Sequence, residues 1–174
     1  METTKNDLPK DTKLFFKKLS DYLDTKLLFF GSIQRSDYVP GHSDIDIDIF
    51  TDNEQTIIAK LQHFLHVKKM DFKKTEWKMD NINGYGYKLK YKNKNKNIVA
   101  EFSIYNEKFK EIMLKKHISK FDLPILVSIL LCILKFFYYK IPIISKSVYI
   151  YLKNQLLNEA IGTADDRFIV LEHL

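Results

Sequence analysis

The chain has 174 residues, a length that suits one domain with a substantial core. Its 28 basic and 22 acidic residues give a formal net charge of +6, which makes a polyanion such as RNA or DNA a candidate partner. Lys, Asn and Ile are abundant throughout, so part of this basicity is expected to be compositional. The single cysteine, Cys132, excludes an intramolecular disulfide and disfavours a thiolate metal site, which predicts a reducing, cytoplasmic setting.

Neither the N-terminus nor the most apolar run predicts a targeting or membrane segment. Residues 1–11 are polar and lack the apolar core of a secretory signal, so we expect a flexible N-terminus. Residues 123–139 approach the length of a membrane span, but Ser128 and Lys135 interrupt the run. We therefore expect a buried helix there and no membrane partner.

The first part of the chain predicts a helix, two strands and a second helix. Apolar residues at helical spacing predict an amphipathic helix over 12–24, and the apolar run 26–30 is typical of a short buried strand. A strand of alternating Asp and Ile follows. Thr51 and Glu54 then match a capping box, which predicts a helix over 53–66.

Three more strands are predicted before the chain turns helical. Alternation indicates strands over 72–79, 85–92 and 98–105, and Glu101 is the only acid in the last of them. Residues 106–174 look helical, although their last ten residues are ambiguous. The histidines at 63, 66 and 117 fall on predicted helices, where we expect surface or satisfied core residues. We expect the aromatic residues after position 135 to be core rather than a base-stacking platform.

The stretch 31–50 carries the most chemical information. A Gly31-Ser32 turn ends the first strand, and three aspartates then alternate with isoleucines. Because side chains alternate across a strand, the carboxylates share one face. Such a row of like charges is usually neutralised by bound cations. The three aspartates are Asp44, Asp46 and Asp48.

These residue types suit metal-assisted chemistry at a phosphate. Two carboxylates at i and i+2 can hold a pair of hard divalent cations, and an acid from a neighbouring strand can complete the site, as Asp44, Asp46 and Glu101 would. Gly31 would let a phosphate approach the backbone, and Ser32 would offer its N–H and hydroxyl to phosphate oxygens. The reaction that fits is attack of a hydroxyl on a nucleotide α-phosphorus with release of pyrophosphate.

The Gly-Ser turn, the eleven residues after it, the acid-x-acid pair and the later acid resemble the signature of the DNA polymerase beta-like nucleotidyltransferase superfamily. The resemblance covers about residues 25–105. With Arg35 after the turn and Ser43 before the pair, the chain is similar to the minimal stand-alone nucleotidyltransferases. The resemblance implies an α+β fold with a mixed sheet packed against helices, two Mg²⁺ or Mn²⁺ ions, and a nucleoside triphosphate donor such as ATP. Acceptors in the superfamily include nucleic-acid ends, tRNA, proteins and antibiotics.

Applied to this chain, the resemblance predicts a catalytic core over 12–105 and a helical segment over 106–174 packed on it, in a single domain overall. The core is short for this superfamily, so the helical segment or a protein partner would hold the acceptor. Lys88 and Lys90 share a strand face that alternation places beside the acids, and we expect them to bind triphosphate or acceptor. The predicted catalytic and metal-binding residues are Asp44, Asp46 and Glu101; the predicted nucleotide- or phosphate-binding residues are Gly31, Ser32, Arg35, Ser43, Lys88 and Lys90.

Several alternatives remain open at this point. The metal pair could be Asp46 and Asp48, and Glu76 or Asp80 could replace Glu101 as the distant acid. Arg35 could equally be a surface charge. A catalytically silent relative that binds nucleotide, nucleic acid or a protein partner is the main alternative function, whereas a metal-dependent phosphohydrolase explains neither the turn nor the spacing.

Overall fold

The computed structural model describes residues 3–79, 82–161 and 167–173, the last of these through its backbone alone. Short 3₁₀ turns lie at Gly31–Gln34, Lys69–Asp71 and Glu107–Phe109. The helices and strands, in chain order, are α1 (Lys10–Leu23), β1 (Leu28–Phe30), β2 (Ile45–Thr51), α2 (Glu54–Leu65), β3 (Phe72–Met79), β4 (Ile82–Asn93), β5 (Ile98–Asn106), α3 (Lys110–Ile118), α4 (Ile125–Tyr139), α5 (Lys146–Ile161) and β6 (Arg167–His173).

The strands form one sheet in the order β1-β2-β5-β4-β3-β6. β2 and β5 pair in parallel, and each of the other neighbouring pairs is antiparallel. The parallel register sets Asp46 directly beside Glu101. The predicted α+β fold with a mixed sheet packed against helices is therefore confirmed.

One face of the sheet packs against α1 and α2. The isoleucines of β2 and the apolar residues of β5 lie in one buried cluster with the apolar sides of both helices. Full burial of each such side chain contributes roughly 1.5–3 kcal/mol, which fixes the register of these strands against slippage. Because alternation is strict, the acids of β2 project from the opposite face. The buried strand residues are Ile45, Ile47, Ile49, Ile98, Ala100, Phe102 and Ile104.

The opposite face carries the acids and is partly covered by the C-terminal helices. A smaller buried cluster there joins Phe30, Trp77 and Tyr105 of the sheet to Phe109 and Met113, at and inside the start of α3. Helices α4 and α5 pack against each other. This arrangement leaves a space between the acid-bearing face and the three helices.

Helix α4 differs from the buried helix that its composition predicts. Leu131, Leu134 and Lys135 are its buried residues, whereas Ile125 is 81% exposed and Leu126 is 65% exposed. An apolar composition does not fix how many neighbours surround a helix, and here one side alone is covered. No helix in the described part of the chain is long and apolar enough to cross a membrane.

One local prediction, the capping box at the start of α2, is also wrong. The side chain that caps α2 is Asn53, which accepts from the Thr56 N–H at 3.0 Å, whereas Thr51 accepts from the Asn53 N–H one step earlier. Asn is at least as good a cap as Thr, and here it directly precedes the first helical residue. The last ten residues, which the sequence leaves ambiguous, include β6, which pairs with the edge of β3 and satisfies its backbone groups.

Candidate active site

A cleft of about 800 Å³ lies between the acid-bearing face of the sheet and helices α3, α4 and α5. The turn after β1 contributes Gly31 and Ser32 to its lining, and the strand after it contributes Asp44, Asp46 and Asp48. The Gly-Ser turn and all three aspartates are therefore brought to one place.

Gly31 and Asp46 approach each other closely on the sheet side of this cleft. Gly31 has a φ of +68°, in the left-handed region that favours glycine. A Cβ built at this position would lie 1.9 Å from the Asp46 Oδ2 atom, so a larger residue would displace the carboxylate. Phe30, which precedes the glycine, is the register partner of Asp46 across β1 and β2. The glycine is required by the carboxylate itself, which the local sequence does not reveal.

Asp46 is the most perturbed acid of the site. Burial raises its pKa to about 6, the ammonium of Lys153 on α5 opposes the rise, and the carboxylates of Glu101 and Asp44 add to it. Asp44 itself is exposed and directly precedes the strand. The two carboxylates therefore repel each other on the sheet side of the cleft.

Glu101 is held by two lysines of the neighbouring strand. Its carboxylate oxygens lie 2.8 Å from Lys88 Nζ and 3.5 Å from Lys90 Nζ. Burial alone would raise the pKa of Glu101, but the two ammonium groups outweigh it and lower the pKa below its ordinary value. The predicted distant acid and the two predicted phosphate-binding lysines thus lie together, and the carboxylate offsets one of the two positive charges.

Within the described residues, no three His, Cys, Asp or Glu side chains converge as a metal-ligand set. Asp44 and Asp46 nevertheless supply the carboxylate oxygens that hard divalent cations prefer, and a cation between them would relieve the repulsion that raises the pKa of Asp46. These two residues fit a divalent metal. Glu101 adds a third oxygen ligand only if its lysine contacts are released.

The alternatives for the distant acid do not compete with Glu101 in this structure. Glu76 is exposed on β3, beside Lys74 at 3.9 Å. Neither Glu76 nor Glu101 is a lining residue of the cleft, but Glu101 is the register partner of Asp46 and its charge raises the pKa of that aspartate. Asp80 lies outside the described residues.

Arg35 lies on the cleft wall in a buried ion cluster. Its Nε and a terminal nitrogen donate to the two carboxylate oxygens of Asp37 at 2.8 and 3.2 Å. Lys135 Nζ, from α4, lies 2.9 Å from the same carboxylate and donates to the Asp37 carbonyl and to Ser43 Oγ. Ser43 Oγ also accepts from the Val39 N–H. Two predicted phosphate-binding residues, Arg35 and Ser43, are therefore engaged in holding the loop between the turn and Asp44.

The charges of this cluster compensate one another. Burial alone would raise the pKa of Asp37, but Arg35 and Lys135 together lower it. Burial lowers the pKa of Lys135 despite its attraction to Asp37. The side chains of all three residues are at most 5% exposed. A lysine inside an apolar helix is thus explained by an aspartate nearly a hundred positions earlier, for which the sequence carries no signal.

Asp48 is buried and paired with a histidine of α3. Its Oδ2 atom lies 3.0 Å from His117 Nε2. The imidazole stacks on Phe30, with ring centroids 3.9 Å apart and planes 21° from parallel. His117 is half-buried and lines the cleft, so it is neither the surface histidine nor the core histidine that its helix position predicts.

The C-terminal helices and the loop after α3 add lysines and tyrosines that the sequence analysis did not assign to the site. Burial, with the nearby charges of Lys116, Arg35 and Lys88, lowers the pKa of Lys120 to about 8. Lys153 interacts electrostatically with Asp46. These residues line the cleft because of the way the helices cross the sheet, which the local sequence does not encode. The added lining residues are Lys116, Lys120, Lys153, Tyr138, Tyr139 and Tyr149.

The tyrosines also correct the expectation that the aromatic residues after position 135 are core. Tyr138 and Tyr139 line the cleft. Tyr138 stacks on Tyr149 of α5 with ring centroids 4.2 Å apart, and Tyr139 lies 5.2 Å from the ring of His42. This aromatic wall stands at the helical side of the cleft.

Comparison with known proteins assigns the chain to a family. The model of a family described as "Nucleotidyltransferase domain" matches residues 10–121. Comparison with curated proteins gives no match. A solved structure of Cid1, described as having RNA terminal uridylyl transferase activity, is 19% identical over 70% of this chain with a TM-score of 0.31. The alignment covers 31% of the Cid1 chain, so this chain corresponds to under a third of that protein.

Proposed function

Because the chain belongs to the nucleotidyltransferase domain family, with a match over residues 10–121, we propose that it transfers a nucleoside monophosphate from a nucleoside triphosphate to a hydroxyl acceptor. Pyrophosphate is the second product. RNA and DNA ends are the first acceptors to test because the chain carries a net charge of +6. Proteins and small hydroxyl compounds complete the acceptor set.

The single observation that carries this proposal is the contact between the turn and the acid pair. A Cβ on Gly31 would lie 1.9 Å from Asp46 Oδ2, so the chain uses glycine where the family chemistry needs a turn against a carboxylate. Structural packing of an ordinary strand end has no need for an acid at this place. A row of carboxylates beside a glycine turn in a cationic cleft is suited to a nucleotide and its counterions.

In this proposal Asp44 and Asp46 hold divalent cations, Mg²⁺ or Mn²⁺, and Glu101 joins them as a third ligand. When bound, two such ions would neutralise the triphosphate and the leaving pyrophosphate and would favour the ionised form of the acceptor hydroxyl. Asp44 and Asp46 would hold those ions beside the glycine turn, where the reacting phosphate would lie. Ser32, at the start of the 3₁₀ turn, offers its hydroxyl and N–H to phosphate oxygens.

The lysines of the cleft bind the triphosphate in this proposal. Lys120 and Lys153 reach the cleft from the helical side. Lys153 is close enough to lower the pKa of Asp46, and Asp46 is close enough to Lys120 to oppose the lowering of the lysine pKa. Lys88 and Lys90 exchange Glu101 for phosphate oxygens when nucleotide enters, which releases the glutamate for the metal. Arg35 and Ser43 act by holding the loop before Asp44, through Asp37 and Lys135.

The experiment is a panel of each labelled nucleoside triphosphate with Mg²⁺ or Mn²⁺ and with RNA, DNA and protein acceptors. We expect incorporation with pyrophosphate release, and loss of both in Asp44→Ala and Asp46→Ala. Glu76→Ala is the matched control, because this acid lies on the same sheet but outside the cleft. Absence of incorporation in the wild-type protein across the panel, or activity that is indifferent to both aspartate variants, would reject the proposal.

A second candidate is a catalytically silent protein that keeps the fold and binds nucleotide, nucleic acid or a protein partner. The observation in its favour is the pairing of Glu101 with Lys88 and Lys90, which leaves two carboxylates rather than three for metal. Nucleotide binding without turnover would support this candidate. Turnover that falls in Glu101→Gln would eliminate it.

A further inference from the structure

The acid side of the cleft contains one acid–histidine pair that the proposed reaction has not used. Asp48 and His117 lie 3.0 Å apart between Oδ2 and Nε2. We assign His117 Nε2 as the donor and the Asp48 oxygen as the acceptor of this hydrogen bond, the roles that an imidazole N–H and a carboxylate take together. In the neutral imidazole, Nδ1 is then the nitrogen with the free lone pair. This is the hydrogen-bonding arrangement that orients a histidine to act as a base.

His117 is placed near the acid pair by its contacts with Phe30 and Asp48. Its ring stacks on Phe30 with a centroid distance of 3.9 Å. Phe30 is the strand partner of Asp46, and the next residue, Gly31, touches the Asp46 carboxylate so closely that a Cβ would not fit. Asp48 follows Asp46 by two positions on the same strand face. The imidazole therefore lies in the part of the cleft where the reaction is proposed to occur.

The nearest rival for a base is engaged elsewhere. Glu101 forms ion pairs with Lys88 and Lys90, so both of its carboxylate oxygens are occupied in this structure. Among the described residues, the hydrogen bond to Asp48 is the only one that the His117 ring makes. His117 is also half-buried rather than sealed, so a ligand in the cleft can reach the ring.

We infer that His117 is a catalytic residue that takes the proton of the acceptor hydroxyl, and that Asp48 is the residue that positions it; this inference rests on the proposed nucleotidyl transfer. The O–H bond of the acceptor breaks and its proton passes to Nδ1. The acceptor oxygen forms a bond to the α-phosphorus as the bond from that phosphorus to the pyrophosphate oxygen breaks. Pyrophosphate leaves with that electron pair, and the Asp48 carboxylate stabilises the imidazolium until it loses the proton to water.

The test uses the acceptor and nucleotide that the wild-type protein selects in the panel above. Single-turnover transfer is measured for His117→Ala, His117→Gln and Asp48→Asn, with nucleotide affinity measured separately by titration of a fluorescent triphosphate analogue. General-base assistance contributes about 10²- to 10⁴-fold, so we expect His117→Ala to lose about 10²-fold or more in rate. Nucleotide affinity should stay within about threefold, because the interaction is made in the transition state.

A matched control exists on the other side of the sheet. His63 on α2 is also a helix histidine that stacks on an aromatic ring and hydrogen-bonds a side chain, in its case the hydroxyl of Tyr22 at 3.0 Å. It does not line the cleft. We expect His63→Gln to transfer at the wild-type rate.

Two readouts separate a catalytic role from a structural one. Added imidazole should restore part of the rate of His117→Ala, because it can occupy the space on Phe30. Long-range ¹H–¹⁵N NMR of the wild-type protein should show the neutral ring protonated at Nε2, and Asp48→Asn should change that tautomer. If His117→Ala does not fold, His117→Gln with the same rate criterion replaces it.

The outcomes are distinct. An active wild-type protein whose His117 variants retain their rate, or lose rate only in proportion to nucleotide affinity, overturns the role of His117 and leaves the proposed function standing. A proton on Nδ1 in the NMR experiment also overturns it. A wild-type protein that transfers nothing to any acceptor overturns the proposed function and this inference together.

Discussion

Two clusters of one acid and two bases border the same cleft, and they differ in burial. Asp37 lies between Arg35 and Lys135 with all three side chains at most 5% exposed. Glu101 lies between Lys88 and Lys90 and is 20% exposed, while the Lys90 side chain is 84% exposed. We call these the loop cluster and the strand cluster.

The difference in burial separates a cluster that holds the loop from a cluster that can bind ligands. A buried ion pair cannot exchange partners without leaving a charge in a low-dielectric site, so the loop cluster is fixed. A partly exposed pair is screened by water more than a buried one and is least costly to open at the 84% exposed Lys90, so we expect the strand cluster to exchange one partner for a phosphate or a metal. The same residue types therefore hold the loop in one place and remain available to ligands in the other.

The largest effect is expected from breaking the loop cluster. Asp37→Ala leaves two buried cations without their anion, and removal of one partner of a buried pair costs about 3–5 kcal/mol. We expect this loss in the free energy of unfolding measured with urea. Asp7→Ala is the control, because Asp7 forms an exposed ion pair with Lys13 at a similar distance of 2.9 Å. A stability change as small as that of the control would refute the division between the clusters.

Glu101→Gln should change activity much more than stability. The variant keeps the size of the side chain and removes the charge that pairs with Lys88 and is proposed to join the metal. We expect about a 10²-fold loss of transfer rate, comparable to removal of one electrostatic contact to the transition state, and about 1 kcal/mol or less of stability. Glu76→Gln, on β3, is the control for both measurements. An equal loss of stability in Glu101→Gln and Asp37→Ala would contradict the comparison.

A smaller effect is expected from the dependence of nucleotide affinity on pH, which we attribute to Lys120. Its pKa is lowered to about 8, so its ammonium is present below that pH and is lost as the pH rises through it. Nucleotide affinity should therefore fall by about tenfold between pH 7 and pH 9, the effect of losing one charge-assisted contact. Isothermal titration at each pH checks this. Lys120→Met should flatten the profile at low affinity, whereas Lys115→Met, on the exposed side of α3, should keep the wild-type profile.

The smallest effect is expected from Lys90→Ala. Because Lys90 is 84% exposed and lies 3.5 Å from Glu101, its removal should cost about 0.5 kcal/mol of stability or less. Lys88→Ala, which removes the 2.8 Å pair, should cost more and should weaken triphosphate binding more. If Lys88→Ala and Lys90→Ala leave the affinities for nucleotide and for polyanions unchanged, the strand cluster has no ligand role.

The sequence predicts the sheet better than it predicts the helical wall of the cleft. Strict alternation separates Ile47 from Asp46 because the period of a strand is two, and burial of one face then fixes the other. The position of Glu101 beside Asp46 follows once β5 pairs in parallel with β2. The alternation of side chains is therefore the sequence signal that predicts the sheet.

The helical wall has no such periodic signal. Lys135 predicts an interruption of an apolar helix, and nothing near it indicates Asp37 as its partner. His117 and Lys120 enter the cleft because of the way α3 and the loop after it cross the sheet, which is a tertiary property. The apolar run of α4 predicts burial on all sides. Composition does not record how many elements pack against a helix, and here only one side is covered.

The parallel pairing of β2 with β5 has a consequence for how the protein folds. Two strands that run in the same direction need a long connection, and here α2, β3 and β4 lie between them in sequence. The neighbours Asp46 and Glu101 meet only after that whole connection has closed, and non-local closure of this kind is slow. A ligand that bridges the two strands would bind the finished fold and not its precursors, so bound nucleotide would also report when folding is complete.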